Sequence, residues 1–337
     1  MVRSLLGTAV GVVFLLLTWR ALGHISWRGI DFQPGAVALA FVGALGFLGA
    51  RAWRYRLLLP DSRSAGSQVL GVTAISWAVG LLVPGPSADA SFIALSPRVL
   101  GAGAARATGV SLVARLLDVA SLGVVAVIAG SLSEAGESLA VLIAAAVVGL
   151  VSAGLLVVLF TERPRAALLG WASRRPRLAR WSERAERSLA ALSGRSRGAM
   201  LLGSTALCRI CTAIEYAALF SLIDLHLPFW DIWFALSIRS FLTAIPIQGI
   251  AGIGTSQAWW TTALVLDGVA AGPAVAASVT LQVLDLAVAL SLSAVVAAAT
   301  AGSWRRRSEG AAAVAEVPVS AELVAHRRSY AARATSR

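Results

Sequence analysis

The sequence predicts an all-α integral membrane protein: six full spans plus two re-entrant helical hairpins, arranged as an inverted repeat with the N and C termini cytoplasmic. Composition is the first reason. Of the 337 residues, 58% are hydrophobic and 14% charged, and the mean hydropathy is +0.78. A soluble domain carries about a quarter charged residues. Continuity is the second reason. Apolar runs such as 141–160 and 274–299 have the ~20 residues that cross a hydrocarbon core of ~30 Å. In lipid only helices and closed barrels satisfy their backbone groups, and unbroken runs do not fit alternating barrel strands. The third reason is charge. The net charge is +12, all 29 basic residues are arginine, and they cluster between apolar runs, where they orient spans.

Taken in order, span 1 is 5–22. It reads as an uncleaved anchor, because no small-x-small cleavage site follows it. Span 2 is 36–54, and a basic stretch with Arg51, Arg54, Arg56 and Arg63 follows. Residues 68–83 are apolar, stop at Pro84-Gly85-Pro86, and resume as the shorter segment 87–95. Arg98 and Arg106 precede span 3, 109–130. The loop 131–138 carries Glu134 and Glu137 and no arginine, and span 4 is 139–160. Segment 161–197 holds ten arginines. Span 5 is 199–223, and the acidic loop 224–231 follows. Residues 232–244 are apolar and run into a break from Ile245 to Gly254; 255–266 are apolar again. Span 6 is 273–299. The membrane domain is thus 1–302, with 161–198 as a cytoplasmic Arg-rich amphipathic loop. The tail 303–337, with seven arginines, reads as solvated and disordered.

Arginine-rich segments 51–63, 98–106, 161–197 and 303–337 face the cytoplasm; 131–138, 224–231 and 267–272 face outside. Arg20 and Arg28 depart mildly from this rule. The stretch 68–95 must then begin and end inside, yet two full spans need about 40 residues. It therefore reads as a hairpin entering from the cytoplasm. By the same reasoning 232–266 is a hairpin entering from outside. Inverted halves with broken helices meeting near the midplane are the architecture of many secondary transporters. The competing reading is ordinary eight-span packing with proline kinks.

Charged groups inside spans are costly and usually face an interior cavity. The candidates for binding a lipid headgroup are Asp89, Arg115, Asp118, Arg209, Arg239, Gln248, Gln257 and Asp285, with Glu215 and Gln282 nearby in the chain. Arg115 and Asp118 lie three residues apart on one helix face, so a structural ion pair is the alternative. Arg239 either faces an anionic headgroup or partners Glu215 or Asp285; Asp89 and Asp285 are also candidate proton or cation carriers. The break residues are Pro84, Gly85, Pro86, Pro246, Gly249, Gly252 and Gly254. Proline removes a donor and glycine admits unusual dihedrals, so half-helix N-termini near 87–89 and 254–256 are open to an anion. The alternative is close helix packing.

Several motifs point away from chemistry. Cys208 and Cys211 sit inside an apolar run with no second cysteine pair, so they read as small packing residues. Trp259-Trp260 resembles an interfacial aromatic anchor. In 176–192, Leu178, Trp181, Ala185, Leu189 and Leu192 share one helical face, with arginines around it. That pattern suits an anionic lipid surface or a loop helix packed on the bundle. No phosphate-binding loop, dinucleotide-binding glycine pattern or zinc-protease motif is present, and three histidines do not supply a triad. No catalytic residue, cofactor or metal is expected. The charge flanks spans rather than covering a soluble face, which excludes a nucleic-acid partner.

Four segments in order resemble a known family. Ala50-Arg51-Ala52-Trp53-Arg54-Tyr55-Arg56 is similar to the basic, aromatic end of span 2 in the membrane domain of lysylphosphatidylglycerol synthases. Pro84 to Asp89 resembles that family's Pro-Gly-rich segment, Ala114 to Asp118 its Glu-Arg-x-x-Asp, and Ile245 to Gln257 its Leu-Pro and Gly-Gly-Leu-Gly-x-x-Glu. The resemblance covers about 5–300 and lacks an aminoacyl-transfer domain, so it implies a stand-alone, flippase-like member. Gln257 stands where the family has Glu, Phe92 near its Arg, Ala88 for Gly and Ala114 for Glu, so those four roles do not transfer.

The expected function is translocation of an anionic lipid, of phospholipid or polyprenyl-phosphate type, across a bacterial cytoplasmic membrane. One alternative is a non-catalytic membrane partner of a lipid-modifying enzyme or glycosyltransferase. Another is a membrane enzyme acting on a lipid phosphate.

Overall fold

The computed structural model describes residues 32–59, 64–83, 85–133, 139–175, 195–243 and 254–315. No strand occurs among the described residues. The helices are α1 (Pro34–Leu58), α2 (Gly66–Leu82), α3 (Ser87–Leu95), α4 (Ala104–Leu132), α5 (Leu139–Phe160), α6 (Glu162–Ser173), α7 (Arg195–Leu222), α8 (Phe229–Thr243), α9 (Thr255–Leu266) and α10 (Ala271–Ala315). Pro34 opens α1, where its missing donor is harmless. A π-type turn, Ser96–Leu100, closes α3 and ends at Gly101 in the left-handed region.

Four helices are long and apolar enough to cross a membrane: Pro34–Leu58, Ala104–Leu132, Ser196–Leu222 and Ala271–Gly302. A fifth span is possible on α5, whose apolar stretch bends by 91° into α6. Their outward residues are large and apolar: Leu150 is 74% exposed, Val151 65% and Val295 65%. Such a surface suits hydrocarbon rather than water, and the chain is a multi-pass membrane protein. The first expected span, 5–22, and the amphipathic face at 176–192 lie outside the described residues. Helix α10 runs on to Ala315, past residue 302, so the expected tail begins as helix. The Arg-rich loop likewise begins as α6, which exposes Leu168 and Trp171 and sets Arg175 4.2 Å over the Trp171 ring.

Helices α1 and α7 pack most intimately. A Cβ on Gly43 would lie 2.6 Å from the Glu215 backbone nitrogen and 2.9 Å from the Cys211 carbonyl oxygen; one on Gly46 would lie 2.6 Å from the Cys211 sulfur. Without a hydrophobic force between helices in lipid, such small-residue contacts carry the association. Cys208 and Cys211 are free and buried in this seam, as the packing reading expects.

The neighbour pattern is matched between the halves. Exchanging α1 with α7, α2 with α8, α3 with α9 and α4 with α10 turns each substantial contact among these eight helices into another that exists, while the extensive contact of α4 with α5 has no counterpart among the described residues. Thus α2 packs on α10 as α8 packs on α4, α2 on α3 as α8 on α9, and α3 on α4 as α9 on α10. Side chains follow. Tyr55 of α1 stacks on Phe92 of α3 with centroids 4.3 Å apart, and Tyr216 of α7 meets Trp260 of α9 at 4.9 Å. Trp260, expected as an interfacial anchor, is instead 0% exposed, because it fills the core position that Phe92 fills in the first half.

Candidate functional site

Among the described residues, three polar clusters interrupt the apolar bundle. The first joins α1, α4 and α7. Arg54 donates to both Asp118 oxygens, at 2.8 and 3.0 Å. Arg209 donates to Asp118 Oδ1 at 2.7 Å and to Ser121 Oγ at 3.0 Å. One carboxylate therefore holds two guanidinium groups, a buried arrangement with surplus positive charge. Arg51 adds to it from one turn before Arg54, bonded to the Tyr55 hydroxyl. Arg54 is 1% exposed, although the sequence placed it in the basic stretch 51–63 that faces the cytoplasm. The reason is its face: Arg54 follows Gly43 by three helical turns, so it points into the α1–α7 seam.

Arg209 also reaches open space. With Leu122, Val125, Thr212, Trp233, Leu236, Ser237 and Ser240 it lines a narrow cleft between α4, α7 and α8, whose cavity volume of about 10 Å³ is room for about one water. Trp233 donates its indole N–H to the Arg209 carbonyl at 3.4 Å. Three hydroxyls, an indole wall and a guanidinium are groups that bind an anionic oxygen and exclude water around it.

The second cluster sits at the first break. Asp89, in the opening turn of α3, accepts from the Ser111 hydroxyl and pairs with Arg115. Arg115 thus does not pair with Asp118, its neighbour along the helix. Its side chain is 56% exposed. Gly85 has φ +85°, which permits the reversal that lays Ala88 against Gly80.

The third cluster lies by the second break. Glu215 and Tyr216 on α7, Arg239 on α8, Trp260 on α9 and Asp285 on α10 converge there. The Ser256 hydroxyl bonds Gln282 Oε1, tying the start of α9 to α10. Gln257, expected at a headgroup, is buried, and its Oε1 accepts from the Gly254 N–H to cap α9. Gly254 has φ +83°. Pro84, Pro246, Gln248, Gly249 and Gly252 lie outside the described residues.

The fold therefore brings Asp118 and Arg209 together, Asp89 with Arg115, and Arg239 with Asp285. Sequence reasoning missed Arg54 as a buried ligand of Asp118, did not single out Tyr216, and took Trp260 as an interfacial anchor. Among the described residues no group of three His, Cys, Asp or Glu side chains is placed to hold a metal.

Residues 4–298 match the family described as the lysylphosphatidylglycerol synthase transmembrane region. No curated protein and no solved structure matches the chain.

Proposed function

The chain belongs to the family of the lysylphosphatidylglycerol synthase transmembrane region, and on that premise we propose that it moves an anionic lipid between membrane leaflets. The observation that carries this is the surplus of guanidinium groups on Asp118, with Arg209 opening into the cleft. An isolated charge buried in a bundle costs several kcal/mol or more unless something neutralises it. A phosphate admitted as α8 moves away from α4 and α7 to widen the cleft neutralises this one, while its acyl chains stay in the bilayer.

The proposal includes the inverted arrangement: six spans, a hairpin formed by α2 and α3 entering from the cytoplasm, one formed by α8 and α9 entering from outside, and cytoplasmic termini. The matched neighbour pattern supports it. So does the position of Gly71 against Thr300 and Trp304, which sets the start of α2 beside the Arg-rich end of α10. Thr261 bonds Ser278 at 3.2 Å, so α9 runs back towards the end where α10 begins.

The test is headgroup accessibility in proteoliposomes, with a reporter phospholipid and a membrane-impermeant quencher. The wild type moves anionic reporters. A charge-assisted hydrogen bond is worth about 1.5–3 kcal/mol, so Arg209→Ala slows movement roughly tenfold to a hundredfold. Unchanged movement in Arg209→Ala removes the headgroup from this cleft. A wild type that moves no anionic lipid returns the chain to the partner or lipid-phosphate enzyme readings.

A further inference from the structure

The third cluster is not used by the headgroup site, and its charges do not close. Under exchange of the halves, a shift of 161 residues carries Arg54-Tyr55 onto Glu215-Tyr216, and one of 167 carries Asp118 onto Asp285. Two ring contacts support the register: Tyr55 stacks on Phe92 in one half, and Tyr216 meets Trp260 at a tilt in the other. Where the first half sets Arg54 against Asp118 as an ion pair, the second places two acids in each other's electrostatic reach, with Arg239 acting on both. Glu215 is 2% exposed and Asp285 6%. Glu215 Oε1 is buried with no hydrogen-bond partner.

Every titratable group facing this pair among the described residues is accounted for. From α7 come Cys211 and Tyr216, the latter within hydrogen-bonding reach of Asp285. From α8 comes Arg239, close enough to act on both acids electrostatically. Its guanidinium spreads over the Trp260 and Tyr216 rings at 5.5 and 6.0 Å, and no ion pair within 4.0 Å joins it to either acid among the described residues. Its Nε is buried without a partner. Helices α1 and α9 contribute Gly43 and Trp260, which do not titrate. The carboxylate of α4, Asp118, is engaged with Arg54 and Arg209.

We propose that Glu215 and Asp285 form a proton-binding site inside the membrane domain, and that this proton is the coupling ion for lipid movement. The coupling half rests on the translocation reading above. With all three groups ionised, two carboxylates face one guanidinium and the cluster carries a buried surplus negative charge, which is costly. One proton, transferred from hydronium to a carboxylate oxygen, leaves a carboxylic acid, one carboxylate and Arg239, which is neutral. Returning the proton to water restores the surplus. No bond to the lipid forms or breaks. Because the cluster ties α7, α8 and α10 beside the start of α9, the neutral form favours the closed packing. The charged form favours a state that admits water.

The test uses the full chain in liposomes. Infrared difference spectra across a pH titration report carboxylic acid directly. The wild type shows a protonated-carboxyl band; the double variant Glu215→Gln, Asp285→Asn lacks it, and the conservative Asp285→Glu retains it. In the same vesicles an imposed pH difference of one unit shifts the leaflet ratio of an anionic reporter about tenfold for one proton per lipid, and the double variant abolishes this shift. A band that persists in the double variant overturns the proton site. So does a band that responds to sodium alone. Lipid movement indifferent to the pH difference overturns the coupling. If the band behaves as stated while no lipid moves in any vesicle, the proton site stands and the translocation reading falls.

Discussion

Asp118→Ala is the sharpest test of the cationic network. It removes the one carboxylate that accepts from Arg54 at 2.8 and 3.0 Å and from Arg209 at 2.7 Å. Arg54, 1% exposed, is then a buried charge whose only remaining described partner is the Thr205 hydroxyl at 3.5 Å. Breaking a buried pair from one side costs about 3–5 kcal/mol. The Asp118 side chain is 31% exposed, so the low end, about 3 kcal/mol, applies. At roughly 1–2 °C per kcal/mol for a chain of 337 residues, the midpoint falls by roughly 3–6 °C. Cys208 and Cys211 supply the assay, because both are free and buried in the α1–α7 seam. A dye that fluoresces on reacting with thiols reports the temperature at which the seam opens. The apolar triple variant Arg54→Met, Asp118→Leu, Arg209→Met replaces all three charges. It should recover most of the midpoint, as apolar replacements of buried ion networks do elsewhere, and yet move no anionic lipid. Asp118→Ala melting with the wild type would refute the network's tightness. A triple variant that still moves lipid would refute its role in binding.

Gly43→Leu drives a side chain into the α7 backbone, where a Cβ alone already meets Glu215 N at 2.6 Å. Backbone cannot swing aside, so the same melt should fall by at least the ~1–3 kcal/mol typical of overpacking; a neutral result would mean that the seam is looser than described. Asp89→Asn loosens only a pair whose arginine is 56% exposed, so its effect on the midpoint stays within the ~1 kcal/mol of exposed pairs. A drop as large as that of Asp118→Ala would show that Asp89 supports the hairpin.

The spans were legible because hydropathy is a local property. Expected spans at 36–54, 109–130, 199–223 and 273–299 coincide with four helices of membrane length. Partnerships were not legible, because a sequence offers only neighbours on the same helix. Arg115 and Asp118 share a face, yet Asp118 pairs with Arg54, 64 residues away, and Arg209, 91 away. One signal did exist. Gly43, Ala50 and Arg54 fall on a single face of α1, so the arginine belongs to the same stripe as the small packing residues. The proposed internal repeat was suggested by charge and length, but no residues aligned in the sequence; the paired contacts Tyr55–Phe92 and Tyr216–Trp260 supply the register in which Asp118 stands opposite Asp285.

On the proposed inverted arrangement, the eight helices from α1 to α4 and α7 to α10 form a nearly degenerate pair of halves. Any distortion of α2 and α3 against α10 has a twin in α8 and α9 against α4, built from the same kinds of seams. The two distorted shapes then differ in free energy only by the side chains that the halves do not share. Chief among these is the exchange of Arg54 for Glu215. A single unmatched position at the pivot of each half thus sets which of the twins is populated, and by how much.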